Sequence, residues 1–204
     1  MKLLLASGNR HKLKEFQQLL LDRPHVTLLT PADVGLADLH VVEDGTTFAE
    51  NARLKAQAYA AASQLPVLAD DSGIEVDYLD GAPGIYSARY AGEHGNDEDN
   101  NRKLLDALAD VPETKRSARY RIALVYLEAG NGGTTHLIES ACEGHIVSTP
   151  IGSGGFGYDP LFRPLGHHRT MAQLPPNEKA AISHRGRASR EMAAWLRQHL
   201  AGRP

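Results

Sequence analysis

The chain is short of several things, and each shortage narrows what it can be. Cys142 is the single cysteine among 204 residues, so no intramolecular disulfide can form, which fits a reducing compartment. No apolar run approaches the roughly 20 residues that a membrane-spanning helix needs. The opening run Leu3-Leu4-Leu5-Ala6 stops at Ser7-Gly8-Asn9 and is too short for a signal-peptide core. The expectation is a soluble, cytoplasmic protein with no membrane partner. An excess of one charge is lacking too: 22 Lys and Arg against 25 Asp and Glu leave a net −3. That gives no electrostatic case for a nucleic-acid partner. No G-x-x-x-x-G-K-[ST] loop, internal repeat or low-complexity tract occurs. One domain over residues 1–204, with enough chain for a full core, is expected.

What is present centres on Leu68 to Asp77. The apolar run Val67-Leu68-Ala69 reads as a buried strand that ends in Asp70-Asp71, then Ser72-Gly73. Neighbouring side chains of a strand point to opposite faces, so the two carboxylates are expected to have different tasks. Buried carboxylates need a cation, a basic group or hydrogen bonds to offset them. Two readings fit: a metal-binding or general-base carboxylate, or an acidic strand end with Ser72 and Gly73 as turn residues.

Around that stretch, strands and helices alternate. Leu3 to Ala6 reads as a strand, and Leu13, Phe16, Leu19 and Leu20 recur at helical spacing after it. A strand, a small polar loop and a helix beginning near Arg10 leave backbone N–H groups free for an anion, with Lys12 in the first turn as a mobile charge. An ordinary turn with a solvated lysine is the other reading. Val26 to Leu29 is a second strand. Thr47-Phe48-Ala49-Glu50 has capping-box spacing and opens a helix to about Ser63, with Phe48, Ala52, Lys55, Ala56 and Tyr59 on one face. Asn51 and Lys55 are not explained by capping, and asparagine is a poor mid-helix residue.

Ile74, Val76 and Tyr78 alternate with Glu75 and Asp77, predicting a separate half-exposed strand closed by Asp80-Gly81. Asn96 to Asp99 opens a helix carrying Leu104, Leu105 and Leu108. Ser117 to Glu128 is a long strand with Tyr120, Ile122, Leu124 and Tyr126 on one face. A turn over Gly130-Asn131-Gly132-Gly133 leads into strands at Thr134 to Ser140 and Gly144 to Ser148. An antiparallel stretch in a β/α chain predicts an α/β fold with a mixed sheet.

The last third carries the most chemistry. The backbone of Gly152 to Pro160 is glycine-rich enough to approach a flat ligand, with Phe156 or Tyr158 stacking on it. A flexible loop holding two core aromatics is equally compatible. Glu178-Lys179 precedes Ser183-His184-Arg185-Gly186-Arg187, where basic groups open the final helix and suit a phosphate or a base edge. His167-His168 has no companions at metal-ligand spacing. Together, two candidate metal acids (Glu43 and Asp71), a loop–helix anion site, an aromatic glycine loop and a late Lys/His/Arg cluster are the inventory for Mg²⁺-assisted hydrolysis of a nucleoside triphosphate.

Six blocks in register, from residue 3 nearly to the C-terminus, carry a resemblance. They are Ser7-Gly8-Asn9 with Lys12 and Glu15; Phe48-Ala49-Glu50-Asn51-Ala52 with Lys55; Ala69-Asp70-Asp71-Ser72-Gly73; Gly81 to Arg89; Gly155-Phe156-Gly157-Tyr158-Asp159-Pro160; and Ser183-His184-Arg185-Gly186. The sequence resembles the inosine/xanthosine triphosphate pyrophosphatase family. The resemblance implies an elongated, twisted mixed sheet flanked by helices, forming two lobes with a nucleotide cleft between them, and a homodimer. It also implies Mg²⁺-dependent hydrolysis of ITP, dITP and XTP to the monophosphate and pyrophosphate, which keeps these purines out of DNA and RNA.

Carried over by position, Ser7, Gly8, Asn9, Arg10, His11 and Lys12 hold the phosphates. Asp71 is the general base and a metal ligand, and Ser72 contacts substrate. Phe156, Gly157, Tyr158 and Asp159 line the base and sugar pocket, and Lys179, His184 and Arg185 complete substrate binding. The family's second metal acid falls just before the glycine matching Gly45 or three residues ahead of it, where this chain has Val42; Glu43 is the nearest acid to that latter position.

Overall fold

The computed structural model describes residues 1–9, 12, 13, 15, 16, 26–93, 95–130 and 133–200, the last without its side chain. Expectations for Arg10, His11, Leu19, Leu20, Asn131 and Gly132 lie outside these described residues.

Six strands, β1 (Lys2–Ala6), β2 (Thr27–Leu29), β3 (Val67–Val76), β4 (Ser117–Leu127), β5 (Thr135–Ile146) and β6 (Phe162–Pro164), form one sheet in the order β2-β1-β3-β4-β5-β6. β1 runs parallel to β2 and to β3, with Leu4 opposite Leu29 on one side and Val67 on the other. β5 and β6 are antiparallel, pairing His145 with Arg163. The sheet is therefore mixed, as the sequence predicts. Among the described residues it is accompanied by the helices α1 (Phe48–Ser63), α2 (Asp97–Ala107), α3 (Pro176–Ile182) and α4 (His184–Leu200), besides the helical residues 12, 13, 15 and 16.

The chain divides into two compact units. The first holds Met1–Asp71, Ile122–Ser140 and Arg185–Pro204; the second holds Ser72–Arg121 and Ala141–His184. The core of the first is built from Leu3, Leu5, Phe16, Leu68, Ile122, Leu124 and Tyr126, with Ala188, Met192, Ala193 and Leu196 as the apolar stripe of α4. Leu3 to Ala6 are all buried, as expected of a parallel strand covered on both faces. The second core gathers Ile74, Val76, Leu104, Leu108, Tyr120, Cys142, Tyr158, Phe162 and Met171, among others. Here Arg116, 6% exposed, donates from Nη2 to the Leu108 carbonyl and from Nε to that of Val111. It thereby ties together the turn that follows α2.

Helix starts follow local chemistry. The Thr47 hydroxyl accepts from the Glu50 N–H and caps α1, while Asn96 caps α2 by accepting from the Asp99 N–H. The Glu50 carboxylate reaches back to the N–H and hydroxyl of Thr46, which hold it below the usual carboxylate range.

Three expectations are corrected. Ser72 and Gly73 do not turn: β3 runs unbroken from Val67 to Val76, so Asp70 and Asp71 sit mid-strand. The Ser87 hydroxyl is what sustains the second half, accepting from the Ile74 N–H at 2.9 Å and donating to the Gly84 carbonyl at 2.6 Å. Tyr78 leaves the strand for a 3-10 turn, Asp77–Leu79, and is exposed. The two strands expected at 134–140 and 144–148 are the single strand β5.

Candidate active site

In the first unit, β3 brings Asp70 and Asp71 past the C-terminal end of β1 and against the first two turns of α1. They separate as strand alternation demands. Asp70 is buried, and its Oδ2 accepts from Lys12 Nζ at 2.8 Å. Burial acts to raise the Asp70 carboxyl, but the ammonium of Lys12, then Arg185 and Lys55, outweigh it and hold it at about 2. Lys12 is lowered by its own burial, with Asp70 opposing that and Arg185 and Lys55 adding to it. Lys55 donates to the Asp70 carbonyl at 2.8 Å and pairs with Glu43 at 3.1 Å. Burial pushes Lys55 down, and the acids Asp70, Glu43 and Asp71 more than reverse it.

Asp71 differs in kind. Burial pushes its carboxyl up, Glu43 adds to the rise, and Lys12, Lys55 and Asn51 only partly oppose it. Asn51, buried in α1, donates to Asp71 Oδ2 at 3.1 Å. A carboxylate with raised proton affinity beside two ammonium groups can take a proton from water.

The loop after β1 leads directly into this group. Ser7 is buried, and its Oγ accepts from the Asn9 N–H at 3.3 Å. Asn9 Oδ1 accepts from the Lys12 N–H at 3.2 Å, capping the helical residues Lys12, Leu13, Glu15 and Phe16. A Cβ on Gly8 would meet nothing within 4 Å, so the loop faces open space there. Arg185, in the first turn of α4 and 3% exposed, donates from Nη1 to Glu15 at 2.6 Å and lies over the Phe16 ring. This explains basic residues at a helix start: the acid comes from another element.

The second unit assembles a different set. Asp159 is buried and acts as a clamp: Oδ2 accepts from Lys179 Nζ at 2.7 Å and from the Phe156 N–H at 2.9 Å, and Oδ1 from the Tyr120 hydroxyl at 3.3 Å. Lys179 Nζ also lies 4.9 Å from the centre of the half-buried Phe156 ring. His184 stacks on Tyr120 with the rings 8° from parallel. The Gly157 N–H donates to Asp97, and its carbonyl accepts from Asn101. Ser72 is half-buried on β3.

Phe156 keeps part of its ring exposed, whereas Tyr158 does not. Tyr158 belongs to the core, where its hydroxyl donates to the Ser87 carbonyl at 2.8 Å and burial raises its proton affinity. Sequence reasoning did not assign Asn51, Lys55, Asp70 or Tyr120. A helical asparagine inside one matching block was the signal for the first, and the Tyr120 contacts, with Asp159 and His184, are with residues distant in sequence that no local pattern reports.

An α/β protein with adjacent carboxylates, two neighbouring lysines and a capped strand–loop–helix turn has the make-up of a hydrolase of phosphoanhydrides. Residues 3–195 match the Ham1 family model, and the chain belongs to the Ham1 family. It is 47% identical over 203 residues to a dITP/XTP pyrophosphatase of Thioalkalivibrio sulfidiphilus, covering 100% of both chains. It is 44% identical over 196 residues to the dITP/XTP pyrophosphatase of Escherichia coli K12, covering 96% of this chain and 98% of that one. Among solved structures, a HAM1 protein from Coxiella burnetii superposes with a TM-score of 0.87 at 39% identity, covering 97% and 99% of the two chains.

Proposed function

We propose that this chain hydrolyses ITP, dITP and XTP to the nucleoside monophosphate and pyrophosphate, with Mg²⁺ as cofactor. The observation that carries the reading is Asp71: an acid whose proton affinity is raised by burial, fastened by Asn51 and flanked by Lys12 and Lys55. Relatives named dITP/XTP pyrophosphatase along the whole chain support the choice of substrate.

Asp71 takes a proton from water as the water oxygen bonds to the α-phosphorus, and the α–β bridging bond breaks with its electrons leaving on pyrophosphate. Ser7 to Lys12 receive the phosphates, and Lys12 and Lys55 offset the charge that grows on the leaving group. The donor set fits Mg²⁺. Glu43 and Asp71 are hard oxygen donors, and Glu43 acts against the Asp71 charge; Mg²⁺ takes one or two carboxylates with water and phosphate oxygens. Those two acids would hold the ion, which would supply positive charge to the triphosphate. Phe156 stacks on the purine, and donors such as His184 and Lys179 suit a 6-oxo group. A 6-amino group would offer these donors no acceptor.

Pyrophosphate release from ITP, XTP, dITP, GTP, ATP and dTTP, with Mg²⁺ and with a chelator, tests the reading. Metal-dependent release confined to the first three is expected. Release mainly from dTTP, or binding of ITP without turnover, overturns it.

A further inference from the structure

We infer that Asn51 is a positioning residue for hydrolysis, fixing the Asp71 carboxylate and the segment that carries Glu43 in one arrangement. The inference rests on the reading of Asp71 as base and of Glu43 as its companion acid. Asn51 is 1% exposed and uses both ends of its amide. Nδ2 donates to Asp71 Oδ2 at 3.1 Å, and Oδ1 accepts from the Gly45 N–H at 2.9 Å. The two ends are not exchangeable, because a carboxylate only accepts and a backbone N–H only donates. An aspartate at 51 could keep the second bond but not the first, and an aliphatic side chain could keep neither.

The approach of Gly45 is close enough to govern its own identity. A Cβ there would lie 2.7 Å from the Glu50 Cβ and 2.8 Å from Asn51 Oδ1. A helix gives up some stability by holding asparagine in place of a better helix former. In return, one rigid helix fixes the rotation of Asp71 and the backbone two residues beyond Glu43, which a loop alone would not do.

The experiment compares wild type with Asn51→Asp and Asn51→Leu. The measurements are kcat and KM for ITP with Mg²⁺, and hydrogen exchange of the Gly45 amide. Wild-type turnover comes first: its absence defeats the functional reading itself and is separable from any effect of position 51. Given turnover, both variants are expected to lose about 100-fold in kcat, the scale of a misplaced catalytic group, with KM changed less than about threefold. The Gly45 amide should stay protected in Asn51→Asp and exchange freely in Asn51→Leu, which separates the loop bond from the Asp71 bond. Wild-type kcat in Asn51→Asp, or a loss confined to one variant, overturns the inference. Should the leucine variant not fold, the kcat of the aspartate variant decides.

Discussion

Lys12 and Asp70, 58 residues apart, share a 2.8 Å ion pair in which the carboxylate is 1% exposed. The pair joins the helical turn after β1 to β3 and leaves the Asp71 carboxylate to its own bond with Asn51. Arg185 and Lys55 also act on Asp70, so its charge serves three cations. Asp70→Asn is expected to cost about 3 kcal/mol of stability, because removing one partner of a buried pair strands the other. Adding Lys12→Met to that variant should recover part of the loss, since the stranded ammonium goes with it. Urea denaturation at neutral pH reads both, and strict additivity of the two substitutions would refute the account.

Gly155 and Asp159 are similarly interdependent. Gly155 has φ +75°, and a Cβ on it would strike Asp159 Oδ2 and lie 2.9 Å from its Cγ. Gly155→Ala is therefore expected to destabilise by at least about 1 kcal/mol from backbone strain alone. It should also displace the carboxylate that holds Lys179 and the Phe156 N–H, raising KM for ITP more than it lowers kcat. An unchanged KM would show that Asp159 does not place those groups.

How much of this was legible in the sequence depended on distance along the chain. Caps at Thr47 and Asn96, the span of α1 and the burial of Val67 to Ala69 rest on a few adjacent residues, and they read correctly. The tasks of Asp70 and Asp71 were expected to differ from strand alternation alone, and their partners do differ, Lys12 for the first and Asn51 for the second. Ser72-Gly73 looked like a turn because glycine and serine favour one. What overrides that preference is the Ser87 hydroxyl, 13 residues on, which takes the Ile74 N–H. Tyr158 looked like a stacking group because it is aromatic and sits among glycines. Its contact with the Ser87 carbonyl spans 71 residues, and no local pattern reports such a partner. The resemblance named the candidate site residues as a set. Asn51 lay inside one of the matching blocks without a task, because its task is defined only by Gly45 and Asp71 together.

A pH effect away from the site follows from the pairing of β5 with β6. His145 Nε2 accepts from Arg163 Nε at 2.7 Å, and the two residues are opposite in register. Burial, then the Arg163 charge, lowers the His145 pKa below 6.5, with Glu113 opposing weakly. The folded state thus binds a proton less readily than the unfolded one. The stabilising contribution is complete above about pH 6.5 and is lost as pH falls from there through the lower folded-state value. Wild type should lose stability between pH 7 and pH 5 more steeply than His145→Gln, whose amide oxygen still accepts from Arg163. Parallel pH profiles in chemical denaturation would remove His145 as the cause.

Asp71→Asn separates activity from stability in a way that only a strained catalytic acid predicts. Asparagine keeps the side-chain volume and an oxygen to accept from Asn51, so the 3.1 Å bond has a counterpart. It has no charge and cannot take a proton, so kcat for ITP should fall about 10³-fold. The sign for stability is opposite. Burial and Glu43 raise the Asp71 pKa, so the folded state holds the charged form less well than the unfolded chain does. At neutral pH the carboxylate is therefore a net cost to folding, and replacing it with a neutral amide should raise the melting temperature. Pyrophosphate release and a thermal melt on the same sample read both effects. A lower melting temperature would mean that the ammonium groups of Lys12 and Lys55 outweigh the burial of Asp71, and retained turnover would mean that another group takes the proton.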